Sequence, residues 1–359
     1  MRVVIDAMGS PDRSGGMNLY ARELVASWAA GNPDDAITVI AGPWAADAFV
    51  GHPNIAVHVV RSGSSAARAW TQLVSSGVVF HRSRADALVS LSPLASPLVP
   101  ARHRAVVVHD WRHESRPGEF GVAQRWYRRL WRWSARTAGT TIAISDRTAA
   151  ESRRHARPRR LVVVENGADH PRRWRAVVRR PGDEVTLVTY GHLPNKRPEA
   201  VIRALALVPD GTLWVLGAQG RYRQSLEQLA ASCGIAHRVR LPGFVPDQEY
   251  HRLLATASAV VLNSSDEGFG FPVVEAGYFG IPVIAAADSG LHTIHGRAVR
   301  VSAPDPRSIA EAILAAVRDT PGHATAARSW ARCAEETRAA VAAARDPSAA
   351  AAVAGGSRP

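Results

Sequence analysis

The chain has 359 residues, 46% hydrophobic and 21% charged, which is length enough for two domains and excludes a disordered or fibrous chain. A net charge of +13 and a pI of about 11.0 favour anionic partners: nucleic acid, an acidic membrane surface or phosphorylated small molecules. Two cysteines, Cys233 and Cys333, exclude a disulfide framework or a multi-cysteine zinc site; Asp6 breaks the first apolar run too early for a signal-peptide core, and no uncharged apolar run is long enough to span a bilayer, so a cytoplasmic protein, at most peripheral to a membrane, is expected.

In chain order, short apolar runs alternate with stretches of helical periodicity, which predicts parallel α/β architecture, and they do so twice over. In the first half strands are expected at residues 3–5, 37–41, 55–60, 87–91, 105–109, 141–145 and 161–164. A glycine-containing loop, residues 10–16, follows the first of them, and Met17, Tyr20, Ala21, Leu24, Val25 and Trp28 then recur with helical period. Gly15 and Gly16 alone lack the spacing of a dinucleotide fingerprint. His109 ends a strand at its carboxyl edge, a place for a ligand contact or for a structural histidine.

From Arg112 to Arg180 arginine is dense, with Trp111, Trp126, Trp131, Trp133 and Trp174 interleaved. On a helix over about 119–137, Arg125, Arg129, Arg132 and Arg136 share one face and Phe120, Ala123, Tyr127 and Leu130 another. Two readings stay open: a surface that touches anionic membrane lipid or a phosphorylated carrier, or a solvated arginine face over a packed aromatic stripe. A third, nucleic-acid binding by arginine and stacked aromatics, leaves the acidic glycine loop described below unexplained, so no nucleic acid is expected.

Residues 170–183 are rich in proline and arginine and poor in apolar residues, which predicts a linker. Second-half strands are expected at 185–190, 213–216, 239–241, 259–262, 282–285 and 298–301. Of the 44 lysines and arginines only Lys196 is lysine; it is either a chance survivor or kept where a compact ammonium is needed. Residues 325–344 carry Trp330, Cys333, Ala334, Thr337 and Val341 at helical spacing, and 346–359 read as a disordered tail.

The segment 259–287 reads AVVLNSSDEGFGFPVVEAGYFGIPVIAAA. A strand ends near Leu262, a polar glycine loop follows, and Pro272 sits where a helix's first turn begins. The amides around Gly268, Phe269 and Gly270 therefore face outward from a helix start, where unpaired donors attract an anion and the glycines admit a close ligand. Glu267 precedes the loop and Glu275 is expected in the first helical turn, so both carboxylates can face one ligand; a carboxylate suits the vicinal diol of a ribose or hexose.

This segment, from Glu267-Gly268-Phe269-Gly270 through Glu275 to Gly280-Ile281-Pro282, resembles the signature of glycosyltransferase family 4, retaining enzymes of the GT-B fold. Further matches follow the family's order: Tyr190-Gly191-His192-Leu193-Pro194-Asn195-Lys196-Arg197; Leu241-Pro242-Gly243-Phe244-Val245-Pro246; Gly15-Gly16; His109-Asp110; Ile142 to Ser145; and Val164 to Asp169. The resemblance implies two Rossmann-like doubly wound domains facing across a cleft, with an acceptor-side domain at 1–170 and a donor domain at 171–324. It also implies a helix at 325–345 that crosses back to the first domain.

The implied reaction moves a sugar from a nucleotide-diphosphate sugar to an acceptor hydroxyl with retention, in a mannosyl- or glucosyltransferase manner, with no cofactor and no metal. By the same resemblance Lys196 meets the donor diphosphate, with His192 and Arg197 both open for a second cationic contact. Gly15, Gly16, Gly268, Phe269 and Gly270 approach the donor, Phe244 and Val245 border its base through their main chain, and His109 contacts the transferred sugar. Glu267 and Glu275 recognise hydroxyls rather than attack. A nucleotide-sugar epimerase of the same fold is the runner-up; a pyridoxal-dependent phosphorylase is disfavoured, because Lys196 is already placed.

Overall fold

The computed structural model describes residues 1–10, 15–61, 64–174, 185–318 and 328–345. The chain divides into two compact units, one of Met1–Gly167 with Arg328–Pro359, the other of Ala168–Ala327. The expected tail at 346–359 lies outside the described residues, as do residues 11–14 of the first glycine loop.

Each unit is built on one sheet. In the first, β1 (Arg2–Asp6), β2 (Ala36–Ala41), β3 (Ile55–Val59), β4 (Ala87–Ser90), β5 (Arg104–Val108), β6 (Thr140–Ala143) and β7 (Leu161–Val163) lie in the order β3-β2-β1-β4-β5-β6-β7. In the second, β8 (Thr186–Tyr190), β9 (Thr212–Leu216), β10 (Val239–Gly243), β11 (Ala259–Leu262), β12 (Val283–Ala286) and β13 (Val299–Ser302) lie in the order β10-β9-β8-β11-β12-β13. Neighbouring strands pair in parallel throughout. Every expected strand is present, its ends displaced by at most two residues.

The strands were legible because both faces of a parallel sheet are covered. β11 and β12, buried at every position, read as unbroken apolar runs, whereas β4, β5 and β6, equally buried, include Ser90, Arg104, Thr140 and Thr141 among their apolar residues. In the first unit the covering helices are α1 (Gly16–Gly31), α2 (Ser65–Trp70), α3 (Ser76–Arg82), α4 (Arg112–Ser115), α5 (Val122–Thr137) and α6 (Asp146–His155). In the second they are α7 (Pro198–Leu205), α8 (Gly220–Ser232), α9 (Asp247–Thr256), α10 (Phe271–Tyr278), α11 (Leu291–His295) and α12 (Pro306–Arg318); α13 (Trp330–Arg345) returns to the first unit. Strand order reverses between β1 and β4 and again between β8 and β11, the places where open α/β sheets receive ligands at the carboxyl ends of their strands.

Side chains far apart in sequence fix α13 to the first unit. Arg338 places Nε 2.7 Å and Nη2 3.0 Å from the carboxylate of buried Asp35, which also accepts from Trp28 Nε1 at 2.9 Å and from the terminal amine at 2.6 Å. Trp330 is buried against Gly167, where a Cβ would come within 2.4 Å of the indole, so this glycine answers a close approach rather than a turn.

Three sequence expectations need correction. The arginine-rich helix starts at Val122 rather than near 119, because Gly121 interrupts it and its amide donates to Gln124 Oε1 instead; Phe120 lies outside it, clasped by the guanidinium groups of Arg112 and Arg128. The tryptophans do not form one surface: Trp111 is fully buried and donates to Ser152 Oγ, Trp131 is half-buried, and Trp174 stacks on His251 in the second unit, which leaves Trp126 and Trp133 exposed. The expected linker does not begin at residue 170, because His170 is buried in the second unit; residues 175–184 lie outside the described set.

Candidate functional site

Two loops leave the switch point of the second sheet and are stitched together. The loop after β8 turns through Pro194–Lys196 into Arg197, held in the left-handed region at φ 49°, before α7 begins. The loop after β11 runs from Asn263 to Gly270, where φ is 78°, before α10. Ser265 N donates to Asn195 O at 2.9 Å. Arg197 Nε donates to Asn263 O at 2.7 Å and Nη2 to Ser264 O at 3.1 Å, while its guanidinium forks onto Asp288 at 2.9 and 2.5 Å.

That stitching sets Lys196 Nζ 2.5 Å from Glu267 Oε1, with about one seventh of each side chain exposed. Burial pushes the Glu267 carboxyl up, but the Lys196 ammonium, with a smaller contribution from His192, outweighs it and holds the pKa below the ordinary value. Glu267 is therefore ionised at neutral pH. Two buried amide oxygens in the same loops, Asn195 Oδ1 and Asn263 Oδ1, have no hydrogen-bond donor.

Glu275 is not in the first turn of α10. The helix opens at Phe271, so Glu275 is its fifth residue and points inward, 3% exposed. Its two oxygens accept from Tyr250 Oη at 2.5 Å and meet His170 Nε2 at 3.0 Å, and Tyr250 Oη lies 3.0 Å from Tyr190 Oη. The two acids thus have separate partners. Burial, then the Glu275 charge, raise the pKa of both tyrosines, which keeps them neutral donors.

The glycine loop is shaped as expected: Gly270 needs its positive φ, and a Cβ there would meet Leu291 Cδ2 at 2.5 Å. Glu267 N is tied to Ser289 O at 3.0 Å, and Phe269 O lies 2.6 Å from His295 Nε2. Gly268 lies between them. Phe244 is 43% exposed just past β10, whereas Val245 packs against the core. His192 is exposed and Arg197 is committed to Asp288 and two carbonyls, so Arg197 serves as a brace between the loops.

In the first unit, Gly15 and Gly16 open α1, with nothing within 4 Å of a Cβ built on Gly15. His109 follows β5; its Nε2 lies 3.0 Å from Leu91 O, which assigns the proton to Nε2, and Tyr20 abuts the ring edge-on at 4.9 Å. Burial pulls its pKa below 6.5, so the neutral ring offers Nδ1 as an acceptor. Sequence reasoning passed over Tyr190, Tyr250, His170 and Asp288, because nothing local marks a residue whose role is set by a partner far along the chain. Among the described residues, no group of three or more His, Cys, Asp or Glu gathers as metal ligands would, and no helix is long and apolar enough to cross a membrane.

Comparison with known proteins places this architecture. Along 99% of the chain the fold matches sucrose-phosphate synthase of Thermosynechococcus elongatus (97% of that chain, TM-score 0.72, 19% identity) and HepE of Anabaena in complex with UDP-glucose (100% of that chain, TM-score 0.69, 19% identity). Two Rossmann-like units of this kind define the GT-B class. Residues 15–167 match the family model of glycosyl transferase 4-like domains and residues 171–337 that of glycosyl transferases group 1. D-inositol 3-phosphate glycosyltransferase 1 of Catenulispora acidiphila is 30% identical over 282 residues, 69% of this chain and 64% of that protein. A lipopolysaccharide core biosynthesis glycosyltransferase of Rhizobium meliloti is 31% identical over 189 residues, 51% of this chain and 54% of that protein. The chain thus spans less than two thirds of the length of either relative. It belongs to glycosyltransferase family 4.

Proposed function

We propose that the protein is a retaining, metal-independent glycosyltransferase that moves a hexose, glucose or mannose, from a nucleoside-diphosphate donor to an acceptor hydroxyl. The observation that carries this reading is the Lys196–Glu267 pair, 2.5 Å long, on two loops braced together at the switch point of the second sheet. As the glycosidic bond breaks, negative charge grows on the β-phosphate of the leaving nucleoside diphosphate. Lys196 and the amides at the start of α10 stabilise that charge. Glu267 accepts from sugar hydroxyls.

Retention follows if the acceptor attacks from the face the leaving group departs, its proton passing to the leaving phosphate, so that no enzyme nucleophile is needed. Glu275 is assigned to the ribose, held in place by Tyr250 and His170. His109 is assigned to the transferred sugar, and Gly15 and Gly16 to the donor phosphates. Phe244 and Val245 border the base, and UDP-glucose in the HepE complex makes uridine the first base to try. A pathway in glycan, lipid-linked saccharide or natural-product synthesis fits this chemistry.

A thermal-shift panel of nucleoside diphosphates and nucleotide sugars tests the reading, because ligand binding to the native state raises Tm by mass action. A shift with at least one of them, transfer that survives a chelator and an unchanged anomeric configuration in the product are expected. No shift with any member of the panel, or an epimerised sugar released without acceptor, refutes it.

A further inference from the structure

The outward side of α5 is divided lengthwise. On one half Val122, Trp126, Leu130 and Trp133 succeed one another at helical spacing, 62%, 62%, 38% and 41% exposed. Beside them run Arg125, Arg129, Arg132 and Arg136, all exposed. The helix contains no aspartate or glutamate. Of the four arginines only Arg132 faces a carboxylate among the described residues, Glu114 at 3.8 Å.

The opposite side of α5 is fixed to its unit. Ala135 and Ser134 are buried, Ser134 Oγ accepts from Ala95 N at 3.0 Å, and Tyr127 Oη donates to Gln72 Oε1 at 3.1 Å. The helix therefore cannot rotate its tryptophans inward. This differs from the expected grouping, in which Leu130 shared the packed stripe with Tyr127. Of the other two members of that grouping, Phe120 precedes the helix and Ala123 has a side chain outside the described residues.

We propose that this face of α5 docks on an anionic lipid bilayer, with Trp126, Leu130 and Trp133 at the boundary between headgroups and acyl chains and the arginines on lipid phosphates. An apolar arc beside a cationic arc, both presented by a rigidly anchored helix, fits a planar interface that is apolar below and negative above. Single-stranded nucleic acid fits less well, because stacking needs open ring faces and the Arg129 guanidinium covers Trp126 at 4.0 Å. The inference goes beyond the donor-site reading and requires none of its residues.

The test sediments the full chain with vesicles of phosphatidylcholine alone or mixed with phosphatidylglycerol, and follows tryptophan emission. Binding to the mixed vesicles with a blue shift, and none to neutral vesicles, is expected. Arg125→Gln/Arg129→Gln/Arg136→Gln should weaken binding roughly 100-fold, and Trp126→Ser/Trp133→Ser should abolish the blue shift and most of the binding while keeping the charge. Circular dichroism and the nucleotide thermal shift, both unchanged, show that each variant is folded. Equal binding to neutral vesicles, undiminished binding by both variants, or uptake of single-stranded RNA or self-association in place of lipid overturns the proposal. If vesicles bind but no nucleotide shifts Tm, the surface stands and the proposed catalysis falls.

Discussion

Replacing Glu267 by glutamine should move two affinities in opposite directions. In the unliganded protein Lys196 is held by Glu267 across 2.5 Å, and each side chain is about one seventh exposed. Such a pair lies between an exposed ion pair, worth up to ~1 kcal/mol, and a fully buried one, whose rupture costs about 3–5 kcal/mol. We take about 2 kcal/mol. On the proposed function, a donor diphosphate draws Lys196 away from, or shares it with, that carboxylate. Glu267→Gln therefore lowers the stability of the free chain by about 2 kcal/mol and frees the ammonium, so a nucleoside diphosphate should bind up to ~30-fold more tightly. The nucleotide sugar, deprived of a charged acceptor for its hydroxyls, should gain less or lose affinity, and turnover should fall. Isothermal titration of the diphosphate and the nucleotide sugar against both proteins, with denaturant unfolding for stability, measures all three. Equal weakening of both ligands would show that the pair is a fixed structural bridge and that Lys196 does not turn to phosphate.

Asp35→Ala should cost about 3–5 kcal/mol and cooperatively loosen α13, because it strands Arg338, Trp28 and the terminal amine around a nearly fully buried position; guanidinium unfolding followed by proteolysis near Arg345 checks it. Burial raises the Asp35 pKa but Arg338, the terminal amine and Trp28 together force it well below 3.8, so its contribution to stability is present above pH 4 and disappears on acidification. Asp6 behaves oppositely: burial lifts its pKa to about 7, partly countered by the Met8 amide. The folded state then keeps a proton that the unfolded state loses, and stability declines between pH 4 and 7. Asp6→Asn should abolish that decline and stabilise the chain by up to ~4 kcal/mol above pH 7, in a denaturation series from pH 4 to 8; an unchanged slope would refute the assignment. Gly270→Ala should cost about 1–3 kcal/mol from its φ of 78° and the 2.5 Å approach to Leu291, and should weaken donor binding in the same thermal-shift assay.

Much of this molecule is written locally. A strand covered on both faces must be largely apolar, so strands such as β11 and β12 stood out as runs. Gly270 and Pro272 punctuate the start of α10 by rules that act within a few residues, and Lys196 was marked by being the one lysine. Its partner Glu267, 71 positions away, was identified separately, yet nothing in either segment states that they touch. Glu275 shows the other side. Its place in the motif was legible, but its turn of helix and its inward direction depend on where α10 begins and on His170, 105 positions earlier. Likewise Arg197 was legible as a cation, and only Asp288, 91 positions on, makes it a brace. Along α5 the periodicity gathered the arginines on one face but grouped Leu130 with the packed Tyr127 and did not show which tryptophans are covered, because burial is decided by what packs opposite. A chain carries its own secondary structure in short-range spacing; the company each side chain keeps is settled only when distant segments fold against one another.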